Sequence, residues 1–160
     1  MRIGLGYDSH RCAPGRKLVL GGVHVPYAFG LLGHSDADVL THAVIDALLG
    51  AAKLGDIGRL FSDSDPQFEG ISSILLLEKV SVLLREAKYT VVNIDATIVA
   101  QAPRLADFIP EMEDRISNAL CIDVSQVSVK AKTAEGMGFV GRKEGMEAHA
   151  VCLLKEKGEK

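Results

Sequence analysis

The sequence predicts a single α+β domain, with a mixed β-sheet covered on one face by helices. Three observations predict it. The 160 residues fit one hydrophobic core. Strand and helix signals alternate along the chain with no internal repeat or low-complexity tract. Val127, Val129 and Ala131 alternate with Ser128, Lys130 and Lys132, giving a strand one apolar face and one wet face. Residues 1–154 are expected to form the domain, and 155–160 a short charged C-terminal tail that frays.

The elements follow in order. Arg2 to Tyr7 reads as a strand, and Lys17 to Leu20 and Val23 to Val25 read as a pair of strands around Gly21-Gly22. Asp36 to Lys53 places Leu40, Ala43, Ala47, Leu48 and Ala51 on one helical stripe, with Ser35 or Asp36 able to cap its start. Gly55 and Gly58 punctuate its end. Ser72 to Ala87, rich in Leu and Val, predicts a second helix; Pro110 at a first-turn position opens a third, Glu111 to Leu120. Tyr89 to Ala100, Val127 to Lys132 and Met146 to Leu154 complete the strands.

Composition excludes several classes of function. With 18 Lys plus Arg against 21 Asp plus Glu, the formal charge is −3, which argues against a nucleic-acid protein held by phosphate neutralisation. Aromatic residues are 5% with no Trp, so a stacking platform is not expected. Apolar runs such as Ile74 to Leu77 fall far short of a membrane span, and the N-terminus shows neither a signal nor a transit pattern, so the cytoplasm is the expected location. Cys12, Cys121 and Cys152 are widely spaced and odd in number, so reduced thiols are expected, with Cys121 and Cys152 in ordinary packing.

Chemistry concentrates in a few places. Asp8 and His10, one residue apart in an extended segment, point to the same side. His42 lies on the polar stripe Asp38, His42, Asp46 of the first helix. One carboxylate and two imidazoles make an open three-ligand zinc site of the catalytic kind, with Asp46 or Asp38 available to orient the His42 ring. The same set also suits the facial triad of an iron oxygenase, although a helical His42 speaks against it, and an isolated D-x-H is common in structural settings. Gly33-His34-Ser35-Asp36 before the helix offers backbone N–H groups to an anion. Gly136 to Gly141 satisfies the letter of G-x-G-x-x-G, but a strand follows almost at once, so a tight connection is expected rather than a dinucleotide loop. Lys132, Thr133 and Glu135 close a strand with an ammonium, a hydroxyl and a carboxylate, a set able to hold phosphates and a metal together.

Taken together, the blocks Tyr7 to His10, Gly33 to Val39, His42 to Ala52, Leu54 to Gly58, Leu60 to Pro66, Ala100 to Leu105 and Lys130 to Arg142 closely resemble the 2-C-methyl-D-erythritol 2,4-cyclodiphosphate synthase family, in order and over essentially the whole chain. The resemblance implies a lyase of the non-mevalonate isoprenoid pathway. Such an enzyme converts 4-diphosphocytidyl-2-C-methyl-D-erythritol 2-phosphate to the cyclic diphosphate and CMP. It implies a homotrimer around a three-fold axis with sites shared between subunits and, with no extra N-terminal sequence, a stand-alone enzyme.

By the same resemblance Asp8, His10 and His42 bind Zn²⁺, and Glu135 lies near a second divalent cation, Mg²⁺ or Mn²⁺, that bridges the diphosphate. His34 and Ser35 contact phosphates, and His34 and Thr133 act in catalysis. Asp56, Ile57 and Gly58, with Phe61, Ser62, Asp63, Ser64 and Asp65, would hold the methylerythritol portion. Ala100, Gln101, Ala102, Pro103, Arg104, Leu105 and Ala106, with Ala131, Lys132, Thr133 and Ala134, would hold the cytidine diphosphate. Tyr7 replaces a frequent Phe, and Ala134 stands in place of a frequent Thr. His149 stands where some members carry an acidic residue facing the axis. Arg142 would then lack its partner unless Glu144 or Glu147 substitutes, and an axial channel lined by Phe139 and Arg142 is expected to bind an isoprenoid diphosphate or another anion.

Overall fold

In the computed structural model, which describes residues 1–62 and 64–158, seven strands and five α-helices surround one core. The strands are β1 (Arg2–Pro14), β2 (Leu18–Leu20), β3 (Val23–Val25), β4 (Phe29–Leu31), β5 (Tyr89–Val99), β6 (Val127–Lys132) and β7 (Gly145–Glu156). The helices are α1 (Val39–Ala52), α2 (Ile57–Leu60), α3 (Ser73–Glu86), α4 (Ile109–Leu120) and α5 (Gly138–Gly141). The main sheet has the order β4-β1-β7-β5-β6; only β5 and β6 pair in parallel, so the expected mixed sheet is present. β2 and β3 form a separate hairpin.

Period-two patterning decides which face is covered. Ile94, Ala96 and Ile98 of β5, Val127 and Val129 of β6, and Ala148, Ala150, Cys152 and Leu154 of β7 are buried on the side that carries α1, α3 and α4. On the opposite side Ile3, Leu5, Tyr7 and Val151 are exposed, Ile3 and Leu5 by more than 70%. Hydrophobic side chains therefore stand on both faces of the sheet, and only one face is covered within the chain.

Helix α1 departs from the expected stripe. It is buried on almost every side, with only Asp46 and Gly50 more than slightly exposed, because it lies between β1 and β7 below and α3 beside it. Two glycines of β1 let it come that close. A Cβ at Gly4 would lie 1.9 Å from the Ala47 carbonyl oxygen, and one at Gly6 would lie 1.9 Å from that of Ala43. Such distances are far inside van der Waals contact, so only glycine fits.

The cap of α1 is Asp38, neither Ser35 nor Asp36: its carboxylate accepts from the Thr41 backbone N–H (3.0 Å) and hydroxyl (2.8 Å). The same carboxylate accepts from the Gly21 and Gly22 N–H groups at 2.9 and 2.7 Å, tying the hairpin turn, where both φ angles are positive, to the start of the helix.

Other boundaries shift for local reasons. β1 runs to Pro14 because it pairs with β7 as far as Arg11 and then with β4, a short strand not foreseen. β7 continues to Glu156, so Lys155 and Glu156 of the expected tail belong to the sheet; Glu159 and Lys160 lie outside the described residues. Residues 136–141 form a turn and the short helix α5, not a dinucleotide loop. Cys152 is buried, but Cys121 is exposed, serving as the left-handed cap that ends α4.

Candidate active site

The inner face of β1 reads Gly4, Gly6, Asp8, His10, and His42 comes to meet the last two from the first turn of α1. The Asp8 carboxylate oxygen Oδ2 lies 2.9 Å from His10 Nε2 and 3.0 Å from His42 Nδ1, and the two ring nitrogens are 3.2 Å apart. Three possible ligand atoms thus face one point, the one such group among the described residues. Burial acts to raise the Asp8 pKa, but the hydrogen bonds and charges of His10 and His42 outweigh it and hold the carboxyl well below the usual carboxylate range. His10 Nδ1 lies 2.8 Å from the Leu32 carbonyl oxygen, which can only accept. Nδ1 therefore carries a proton, which leaves Nε2 as the nitrogen that faces Asp8 and His42. A carboxylate and imidazoles held this way are suited to a tetrahedral divalent cation with one position left open.

The expectation that Asp46 or Asp38 orients His42 is not met. Asp38 is spent on the cap and hairpin, and Asp46 accepts the Ile57 N–H at 2.8 Å. Burial pushes the Asp46 carboxyl up, the Ile57 N–H opposes this, and the nearby charges of Asp56 and Asp8 add to the rise. His42 Nε2 instead faces two hydroxyls, Ser73 Oγ at 2.8 Å and Ser35 Oγ at 3.1 Å. Neither Ser73 nor the Leu32 carbonyl was identifiable beforehand: a serine at a helix start reads as a cap, and a backbone oxygen has no residue signature.

Above this point a cavity of about 350 Å³ opens, lined by Asp8, His10, His34, Ser35, His42, Ile57, Gly58 and Phe61, together with the unforeseen Leu32, Gly33, Phe68 and Leu76. Phe61 and Phe68 meet edge to face at 5.4 Å and form its apolar wall. His34 Nε2 donates to the Asp65 carbonyl oxygen at 3.1 Å, leaving Nδ1 as an acceptor in the neutral ring. Arg16 donates to the carbonyls of Gly33 and Ser35 at 3.3 and 3.4 Å and braces the loop. Asp56 caps α2, Asp65 caps the turn that starts at Pro66, and the Ser62 and Ser64 hydroxyls bond each other at 2.8 Å; none of these side chains reaches the cavity wall. Asp63 lies outside the described residues.

A second cavity, about 300 Å³, is lined by Ala100 to Ala106 after β5 and by Ala131, Lys132 and Thr133 at the end of β6. The parallel pairing of β5 with β6 brings these strand ends together, and the Ala102–Pro103 peptide is cis. The two cavities share no lining residue. Glu135 accepts a hydrogen bond from the Thr133 hydroxyl, and Ala134 and Glu135 lie outside both walls.

The residues expected near an axis form a different arrangement. Phe139 lines a third depression with Ser9, His10, Arg11, Glu144 and Gly145. Arg142 is held by Glu144 in a two-pronged pair, Nε to Oε1 at 2.9 Å and Nη2 to Oε2 at 3.0 Å. The expectation of unpartnered Arg142 side chains, and with it the stated basis for an axial anion site, is therefore corrected: Glu144 substitutes for the missing acid. His149 stacks obliquely on Tyr7 at 5.0 Å and lies 3.7 Å from Glu147, which also accepts from the Tyr7 hydroxyl.

Comparison with known proteins gives a consistent result. The chain matches the YgbB family over residues 1–155. It is 55% identical to the 2-C-methyl-D-erythritol 2,4-cyclodiphosphate synthase of Clostridium novyi over 98% of this chain and 100% of that one. It is 58% identical to the synthase of the same name from Syntrophomonas wolfei, over 98% and 99%. Among solved structures, IspF of Plasmodium falciparum in complex with CDP superposes with a TM-score of 0.86 at 36% identity, over 98% of this chain and 97% of that one.

Proposed function

Because the chain belongs to the YgbB family, we infer that it converts 4-diphosphocytidyl-2-C-methyl-D-erythritol 2-phosphate to 2-C-methyl-D-erythritol 2,4-cyclodiphosphate and CMP, in isoprenoid biosynthesis. The observation that carries this reading is the convergence of Asp8, His10 and His42 beneath the His34-Ser35 loop, in a chain whose close relatives are synthases of that cyclic diphosphate.

The reaction is an intramolecular phosphoryl transfer, formally a phosphorus–oxygen lyase step. An oxygen of the 2-phosphate attacks the β-phosphorus, the bond from that phosphorus to the α-phosphate oxygen breaks, and CMP leaves with the electron pair. The nucleophile is already an anion, so the site must align it and offset charge repulsion rather than remove a proton. Zn²⁺ on Asp8, His10 and His42 and a second divalent cation, Mg²⁺ or Mn²⁺, near Glu135 would supply that neutralisation when bound.

The chain's own groups do the positioning. Ser35 and the backbone N–H groups around His34 face the phosphates, and His34 and the Thr133 hydroxyl stabilise the charge that develops at phosphorus. Ile57, Gly58 and Phe61 pack on the methylerythritol carbon skeleton, with Asp56, Ser62, Ser64 and Asp65 in the flanking turns. Ala100 to Ala106 present backbone groups to the base, and Lys132 meets the diphosphate. The CDP held by the Plasmodium falciparum relative is consistent with a cytidine diphosphate in this second cavity.

We further propose a homotrimer with each site built from two subunits. Two observations support it: the metal and nucleotide cavities share no residue, and an apolar sheet face carrying Ile3, Leu5, Tyr7 and Val151 is left uncovered within one chain. An axial ligand has no separate support once Arg142 is paired with Glu144. No helix among the described residues is long and apolar enough to cross a membrane. The cytoplasm is the proposed location.

The test is direct. Incubating the purified protein with the diphosphocytidyl substrate and a divalent cation should yield CMP and the cyclic diphosphate in equal amounts. Substrate that persists in the presence of zinc and magnesium would overturn the reading.

A further inference from the structure

We propose that Ser73, held by Asp36, is the positioning residue that selects the metal-binding form of His42; this rests on the metal reading above. Ser73 stands in the first turn of α3, fully buried, and its Oγ lies 2.8 Å from His42 Nε2. A hydroxyl can either donate to a ring nitrogen or accept from it, and the choice determines which nitrogen of a neutral imidazole keeps its lone pair.

Asp36 makes the choice. The Ser73 hydroxyl donates to Asp36 Oδ1, while Asp36 Oδ2 accepts the Ser73 backbone N–H at 2.9 Å. The carboxylate is fixed in turn by the Asp38 N–H at 3.2 Å, and the Asp36 N–H donates to the Ile71 carbonyl oxygen at 3.0 Å. An ionised carboxylate only accepts, so the single Ser73 proton is committed to it, and Ser73 Oγ offers His42 nothing but a lone pair. His42 Nε2 must then carry a hydrogen, so Nδ1, which lies 3.0 Å from Asp8 and 3.2 Å from His10, is the nitrogen left to bind a cation once the cation displaces any proton it shares with Asp8.

Ser35 Oγ, at 3.1 Å from Nε2, cannot enforce this alone, because no carboxylate fixes its proton; it accepts the Ala37 N–H at 3.3 Å. The arrangement parallels His10, whose outer nitrogen is fixed by the Leu32 carbonyl oxygen. One histidine is set by backbone, the other by an Asp-Ser relay that spans 37 residues of sequence. Partners of this kind typically change metal affinity 10- to 100-fold when removed.

The test uses the full chain stripped of metal by chelation. Long-range ¹H–¹⁵N spectra should show Nε2 of His42 protonated in the wild type and partly unprotonated in Ser73→Ala and in Asp36→Asn. Zinc affinity, measured by competition with a chromogenic chelator, should fall about 10- to 100-fold in Ser73→Ala and return to within about threefold of wild type in Ser73→Thr, which keeps the hydroxyl. A purely structural role for Ser73 would lower the melting temperature of the metal-free protein without altering the tautomer. If Ser73→Ala does not fold, the spectra and affinities of Asp36→Asn and Ser73→Thr decide the question. An unchanged tautomer with zinc affinity within twofold of wild type overturns this proposal alone. A wild-type protein that takes up no zinc overturns the metal reading and this proposal with it.

Discussion

The cavity proposed for the metal and the cavity proposed for the nucleotide are built on opposite plans. The first is a set of side chains drawn from β1 and α1, cross-braced by hydrogen bonds and seated against the most buried helix of the fold. The second is a shallow groove between two strand ends, lined largely by the small side chains and backbone of residues 100–106. The contrast teaches how the work is divided: a cation needs particular donor atoms at fixed separations, whereas a base can be read by whatever backbone a turn presents.

The strongest way to break the comparison is at His42. His42→Ala should leave the nucleotide groove intact and lose both bound zinc, by metal analysis, and activity, by roughly 10³-fold or about 4 kcal/mol of barrier. CDP binding, measured by calorimetry, should survive. A variant that keeps one tightly bound zinc per chain would mean the two cavities are misassigned.

Mixing tests whether the two plans meet between subunits. His42→Ala and Thr133→Val, each inactive alone, should regain activity after subunit exchange; random trimers at equal input place an intact metal half beside an intact Thr133 in about one quarter of sites. A mixture that exchanges subunits and stays inactive would require both halves of a site to come from one chain.

A change that touches no ligand sharpens the contrast. Gly6→Ala sets a methyl group against the Ala43 carbonyl, forces α1 off β1, and should cost about 3 kcal/mol or more in chemical denaturation. Zinc affinity should fall with it. The same substitution at Gly136, where an added Cβ meets nothing within 4 Å, carries only the strain of a positive φ and should cost about 1 kcal/mol.

The smallest effect concerns pH. The folded pKa of Asp8 is depressed, so its contribution to the stability of the metal-free protein is fully present above the ordinary carboxylate range and is lost as pH falls through the depressed value. The stability gap between wild type and Asp8→Asn, from denaturant melts, should stay open from pH 7 to 5 and shrink only below about pH 4. A gap that closed between pH 7 and 5 would assign it to a group other than Asp8.

How much of this was legible in sequence depended on which physical signal each part leaves. The long strands and the three long helices carry periodicity, and their cores were placed to within a few residues at most ends. The four-residue helices α2 and α5 and the strand β4 carry none; their form is imposed by what they pack on. Helix α1 misled for the opposite reason, since a helix buried all round has no polar face, and His42 and Asp46 seemed to mark one. Asp8, His10 and His42 stood out as ligand types at suitable spacing, while Ser73 and the Leu32 carbonyl did not, because their roles exist only once α3 and β4 close around the ring. Arg142 was misjudged because its partner, two residues on at Glu144, was treated as a substitute rather than as the nearest carboxylate.

The succession Gly4, Gly6, Asp8, His10 along one side of a strand acts as a calliper. Its first two positions remove all material between two backbones, so the jaw rests on peptide groups, which neither change rotamer nor compress. The gap at the next two positions is then a property of the main chain. A preference among cations is expected from that setting: one of calcium's size, which seeks six to eight oxygens at 2.3–2.6 Å, meets a single carboxylate and two imidazoles, while one that accepts about 2 Å bonds to nitrogen suits donor atoms already held 2.9–3.2 Å apart.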